Sequence, residues 1–191
     1  DEVATGTGLV MIDEEGRNAI VDGDSSLEKL TVEEITEALE AMRTARYFIT
    51  GFAMPEHLAL KAPQIAKSLG MITVLNPSPL PHSPMGDLDY IDYLVINEVE
   101  ARVLAEVDEH AENYPEIADL VKAKYHCGSI VMTLGEDGAL VFDNGEYHRL
   151  PAVKVKVVDT VGAGDSFLAS FVANLVWGKS VKEAAEYGSK C

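Results

Sequence analysis

The residues Asp159-Thr160-Val161-Gly162-Ala163-Gly164-Asp165-Ser166-Phe167 set two carboxylates around a run of the smallest side chains. Main-chain N–H groups of such residues at a helix start can converge on an anionic oxygen with no side chain in the way. A carboxylate in the same turn, Asp165, could take the proton of an attacking hydroxyl while those amides hold a phosphate. The chemistry suggested is phosphoryl transfer to an alcohol. A Gly-rich turn in which Asp165 only starts a helix is the plainer account of a bare G-x-G-D, so the surroundings must decide.

Asn97-Glu98-Val99-Glu100 follows an apolar run and, taken alone, fits an Asn helix cap with a glutamate reaching back to it. Thr133-Leu134-Gly135-Glu136-Asp137-Gly138 fits an ordinary turn between two strands equally well. Two familiar nucleotide motifs are excluded. The chain holds no G-x-x-x-x-G-K-[ST]. A dinucleotide fingerprint would need glycine where Phe167 stands, and Asp165 would face a pyrophosphate with its own charge.

The elements that must position these residues read as follows. Residues 8–13 and 18–21 form a hairpin around the turn cluster Asp13-Glu14-Glu15-Gly16. Thr31 and Glu34 make a capping box, and Val32, Ile35, Leu39 and Met42 recur at helical spacing. A strand at 47–50 leads to a helix at about 55–69, in which Pro63 predicts a kink or a break. Residues 71–75 and 93–96 are continuous apolar runs of the kind found in parallel strands covered on both faces. Helices are expected at 98–107 and 115–125, and strands at 129–134, 139–142 and 147–150, the last two joined through Asn144-Gly145. A strand at 153–158 and helices at 166–177 and 181–190 complete the chain. Strand and helix in alternation argue for an α/β fold with a largely parallel central sheet. Ligands then gather beyond the carboxyl ends of the strands, where the segments after Leu75, Ile96, Leu134 and Val158 lie.

The nine-residue string resembles the D-T-x-G-A-G-D-[ST]-F signature of the ribokinase family, the phosphofructokinase B type carbohydrate kinases. Asn97 to Glu100 resembles that family's N-x-x-E element, and Thr133 to Gly138 its T-x-G-x-x-G turn. Asn76-Pro77-Ser78-Pro79 is similar to its N-P-x-P loop, and Thr5-Gly6-Thr7 to its T-G-x element. The resemblance implies a three-layer fold and ATP as co-substrate, with Asp165 as catalytic base contacting the sugar and Gly162, Ala163 and Gly164 as anion hole. It implies that Asn97 and Glu100 organise Mg2+ through water, that Thr133, Leu134, Gly135, Glu136, Asp137 and Gly138 lie under the nucleotide, and that Asp159 and Val161 help hold a monovalent cation such as K+. Family members have a preceding sugar-binding segment and a further C-terminal helix, so residues 1–191 are expected to be a single domain incomplete at both ends. Where ribokinases carry a sugar-contacting glutamate this chain has Ala53, which removes a charged acceptor and argues against ribose itself. A nucleoside kinase, or a nucleotide-binding chain without turnover, stays open beside the sugar kinase. Family-type pairing through lid strands allows a homodimer.

A formal net charge of -17 sets the chain against nucleic acid and anionic membranes as main partners. Local amides and magnesium can still hold a nucleotide against that field. The two cysteines, Cys127 and Cys191, form no C-x-x-C and suit a reducing cytoplasm. No apolar run is long enough to span a bilayer, and the scattered histidines offer no H-E-x-x-H metal pair.

Overall fold

The computed structural model describes residues 5–13, 18–23, 26–155 and 160–190. Along the described chain the elements are β1 (Gly8–Ile12), β2 (Asn18–Asp22), α1 (Val32–Ala41), β3 (Tyr47–Thr50), α2 (Glu56–Ser68), β4 (Ile72–Leu75), β5 (Tyr93–Asn97), α3 (Glu98–Ala105), α4 (Tyr114–Tyr125), β6 (Ser129–Thr133), β7 (Ala139–Asp143), β8 (Glu146–Leu150), α5 (Ala163–Val176) and α6 (Val181–Gly188). Strands β3 to β8 form one sheet in chain order. The β3–β4, β4–β5 and β5–β6 pairs are parallel, and the β6–β7 and β7–β8 pairs are antiparallel, so that β7 alone runs against the rest.

Side chains on the central strands alternate between two cores. Leu94 and Ile96 of β5, with Ile130 and Met132 of β6, pack among Ala101 and Leu104 of α3 and Ile117, Ala118 and Val121 of α4. Val95 and Val131 point the other way, into Phe167, Phe171, Val172 and Leu175 of α5 and Ala184 and Ala185 of α6. Ile35 and Leu39 of α1 meet Leu58, Ala62 and Ala66 of α2 in a third cluster. Both sheet faces are thus covered, giving three layers, and this is why the strands read as unbroken apolar runs. Each fully buried branched side chain in them contributes about 1.5–3 kcal/mol.

Helices α5 and α6 pack closely at Gly188, where an added Cβ would stand 3.0 Å from the Phe167 ring. The β1–β2 ribbon forms a sheet of its own, closed by the Gly23 N–H donating to the Thr7 carbonyl at 2.9 Å. Its aliphatic side chains Leu9, Met11, Ile12, Ile20 and Val21 are exposed. The expected turn at Glu14-Glu15-Gly16 lies outside the described residues.

Three expectations need correction. Of the kink or break expected at Pro63 in α2, the break does not occur, since the helix is continuous from Glu56 to Ser68; the ring is buried and its contacts offset one lost ladder bond. Helix α3 stops at Ala105, where Glu106 takes a left-handed conformation with φ 56°. The described part of the strand expected at 153–158 is not a strand, and Val153 and Val155 there are exposed. β-branched residues raise strand propensity, but without a paired neighbour among the described residues the propensity alone does not make a strand.

Candidate active site

The direction of α5 decides where its glycine-rich start lies. Arg46, just before β3, donates from Nη1 to the Val176 carbonyl at the far end of α5, at 3.3 Å. Phe171, midway along the helix, meets Tyr93, the first residue of β5, edge to face with ring centroids 5.7 Å apart. The helix therefore runs antiparallel to the parallel strands. From Phe171 back to Gly162 it extends ~14 Å, about the length of β5 from Tyr93 to Asn97 at ~3.4 Å per residue. Gly162 to Asp165 are carried to the carboxyl edge of the sheet, where α3 also begins.

Gly162 stands at the N-cap of α5 with φ +77° and no side-chain cap bond. Ala163 N–H donates to the Thr160 carbonyl at 3.1 Å, and the Gly162 carbonyl accepts from Ser166 N–H at 2.9 Å. Within the helix, the first-turn amides of Gly164 and Asp165 have no main-chain acceptor. Asp165 is exposed, as are Val161, Gly162, Ala163 and Gly164. Asp159 lies outside the described residues. An exposed carboxylate next to two helix-start amides that have no acceptor among the described residues is an arrangement that can accept a proton beside a bound anion.

The other two motifs meet in register. Asn97, the last residue of β5, pairs with Thr133, the last of β6. Asn97 caps α3: its Oδ1 accepts from Glu100 N–H at 2.8 Å, and Glu100 Oε2 accepts from Asn97 N–H at 2.8 Å. Burial pushes the Glu100 carboxyl above the usual carboxylate range, opposed by the Asn97 N–H and by the Ser78 hydroxyl beside it. Ser78 belongs to the loop after β4, in which Asn76 Nδ2 donates to the Val95 carbonyl at 2.8 Å. A Cβ at Gly51, at the end of β3, would come within 2.7 Å of the Asn76 carbonyl. The loop endings of β3, β4 and β5 are therefore fitted against one another, and exposed Ala53 follows directly on the first.

After β6, Leu134 N–H donates to the Gly138 carbonyl at 2.8 Å around a single turn of 3-10 helix at Gly135–Asp137. Gly135 and Gly138 have φ +54° and +90°, and a Cβ at Gly138 would run into the Leu150 carbonyl. Only glycine fits there. Leu134 and Gly138 are buried, whereas Gly135, Glu136 and Asp137 are exposed on the same edge as Asn97.

Among the described residues no three His, Cys, Asp or Glu side chains gather as a metal cage. Glu100 suits a different task. Its carboxylate supplies hard oxygens, and a nearby divalent cation would relieve its desolvation, which fits magnesium held through water and ligand phosphates. A cavity of about 460 Å3 lies elsewhere, among Asp92, Lys122, Ser129 and Asp143 near the starts of β5 and β6. Asn97 and Thr133 lie at the opposite, carboxyl ends of β5 and β6, the edge toward which the start of α5 is directed. No described helix is long and apolar enough to cross a membrane.

The profile of the pfkB family carbohydrate kinases matches residues 1–191. The chain belongs to that family. A ribokinase of Staphylococcus aureus (strain COL) is 29% identical to this pfkB-family chain over 192 residues, covering 99% of the chain and 62% of the relative. A ribokinase of Mus musculus is 30% identical over 186 residues, covering 92% and 55%. The pfkB-family chain thus spans about three-fifths of the length of the curated relatives it matches. In structure it resembles the Arabidopsis thaliana ribokinase complexed with ribose and ATP, with a TM-score of 0.79 and 26% identity over 96% of this chain and 60% of that one. The fold is the three-layer ribokinase-like fold.

Sequence reasoning missed one cluster beside the site: Glu98, Arg102, Tyr114 and Arg149. Only the i,i+4 spacing of Glu98 and Arg102 could have signalled it.

Proposed function

We propose that this chain is the nucleotide-binding, base-bearing part of a kinase that moves the γ-phosphate of ATP onto a hydroxyl of a small sugar. The observation that carries the reading is the run of α5. It directs the Gly162–Asp165 turn, which has no side-chain cap bond, toward the sheet edge where Asn97 and Thr133 lie in register, and this supports the reading. The ribose and ATP named with the Arabidopsis thaliana relative support the same pair of ligand classes.

In the proposed step the sugar hydroxyl gives its proton to Asp165 and its oxygen bonds to the γ-phosphorus. The bond from that phosphorus to the β,γ-bridging oxygen breaks, and ADP leaves. Charge building on the γ-phosphate oxygens meets the outward amides of the α5 start, with Gly162 to Gly164 forming the anion hole. Magnesium, when bound with the phosphates, would neutralise charge on them, with Asn97 and Glu100 holding its water shell. The 133–138 segment lies under the nucleotide, and Asp159 and Val161 help hold a monovalent cation. Neutral, exposed Ala53 on the sugar side favours an acceptor other than ribose.

The test is Asp165→Asn in the full-length protein. Sugar-dependent ADP release should fall about 10²–10⁴-fold, the range for removing a general base, while calorimetry shows MgATP affinity within a factor of about two. Unchanged turnover would remove Asp165 as base. MgATP binding with no sugar- or nucleoside-dependent ADP release in the parent protein would leave only a nucleotide-binding chain.

A further inference from the structure

The two turns proposed to lie against the nucleotide end different strands, and a single aromatic side chain reaches both. Tyr114, the first residue of α4, is buried. Its hydroxyl donates to Glu98 Oε2 at 2.9 Å and accepts from Arg102 Nη2 at 3.0 Å. Arg102 closes the triangle on Glu98 at 3.3 Å, and its Nε donates to the Ala111 carbonyl at 2.9 Å. Glu98 opens α3 directly after Asn97, so pulling on Glu98 pulls on the 97–100 turn. On the other side, the Arg149 guanidinium lies 5.5 Å from the Tyr114 ring centroid and 3.8 Å from Asp137 of the 135–138 turn. The Arg102 guanidinium is 5.6 Å from the same centroid.

From this placement we infer that Tyr114 is a positioning residue that holds the 97–100 turn and the 135–138 turn in a fixed mutual register, so that they meet MgATP as one surface. This rests on the kinase reading above. Two independent attachments support it: a charge-assisted hydrogen bond from the ring's hydroxyl to α3, and a cation–π contact from its face to Arg149, which pairs with the turn after β6. Burial, then the Glu98 carboxylate, keep the Tyr114 hydroxyl protonated, so it remains a donor. The ring sits in the core and touches neither motif's outward surface, so it acts through Glu98 and Arg149 and not on the ligand.

The experiment uses the full-length protein and three variants: Tyr114→Phe, Arg149→Met and the double variant. Tyr114→Phe keeps the ring and removes the hydroxyl bridge, and Arg149 is exposed enough for replacement without a cavity. Each single variant should weaken MgATP binding about five-fold, with KM for the sugar and kcat at saturating ATP unchanged. The double variant should be no weaker than about five-fold, because contacts that act as one unit are non-additive. Arg149→Lys, which keeps a cation near the ring, should recover most of the affinity. A merely structural role would lower Tm and leave this KM pattern and the non-additivity absent. Strictly additive losses, or parent-like MgATP affinity in both single variants, would overturn the inference while leaving the kinase reading intact. Absence of MgATP binding in the parent protein would overturn both.

Discussion

Helices α3 and α5 both start at the carboxyl edge of the sheet, yet their first turns are finished differently. At α3, Asn97 and Glu100 satisfy each other's main-chain amides in a closed capping box. Thr31 with Glu34 does the same for α1, and Ser180 with Glu183 for α6. At α5, Gly162 offers no side chain at all. A capped start is complete in itself, and an uncapped one leaves N–H dipoles pointing outward for an anion to complete. On the proposed reading the two divide the work: one supplies fixed oxygens toward a cation, the other supplies donors toward a phosphate.

The sharpest way to break this contrast is to put a negative charge at the open start. Gly162→Asp adds a carboxylate within several ångströms of the proposed phosphate, a repulsion of about 1–4 kcal/mol. MgATP affinity measured by calorimetry should fall more than ten-fold. Asn97→Ala comes next: losing the cap costs about 1 kcal/mol, lowering Tm by about 2–4 °C, and MgATP affinity should fall as well because Glu100 loses its partner. Ser180→Ala removes an equivalent cap far from the edge. It should cost a similar ~1 kcal/mol by thermal unfolding with MgATP affinity unchanged; a drop in affinity there would mean that capping as such, and not its location, matters. The smallest effect on affinity belongs to Gly162→Ala, which adds neither a charge nor a capping group and whose strain at φ > 0 costs about 1–2 kcal/mol of stability. A Cβ at 162 meets nothing within 4 Å, so its affinity should stay close to that of the parent and isolate the charge in Gly162→Asp.

Local chemistry was legible in the sequence, and contacts between distant residues were not. Thr31 with Glu34, Asn144-Gly145 and the apolar runs of β4 and β5 each announce their element, because the physics lies within a few neighbouring residues. The motif order likewise pointed to the carboxyl edge. Where the reading failed, tertiary context outweighed propensity: packing carries α2 through Pro63, and the valines at 153 and 155 find no strand to join among the described residues. Tyr114 could not be found at all. Its partners stand 16 and 12 residues away along the chain, and Arg149 comes from the last strand of the sheet, so no periodicity links them. Asp159 lies outside the described residues, and what it does follows from the resemblance alone.

Gly188 carries a further consequence. Its bare backbone lets α6 lie against Phe167, two residues past Asp165. Even one extra methyl at 188 must push that ring or shift the last turn of α6, and the ring shares its helical turn with Asp165. On the proposed reading, the placing of Asp165 is thereby set from behind, by a position whose contribution is to leave room.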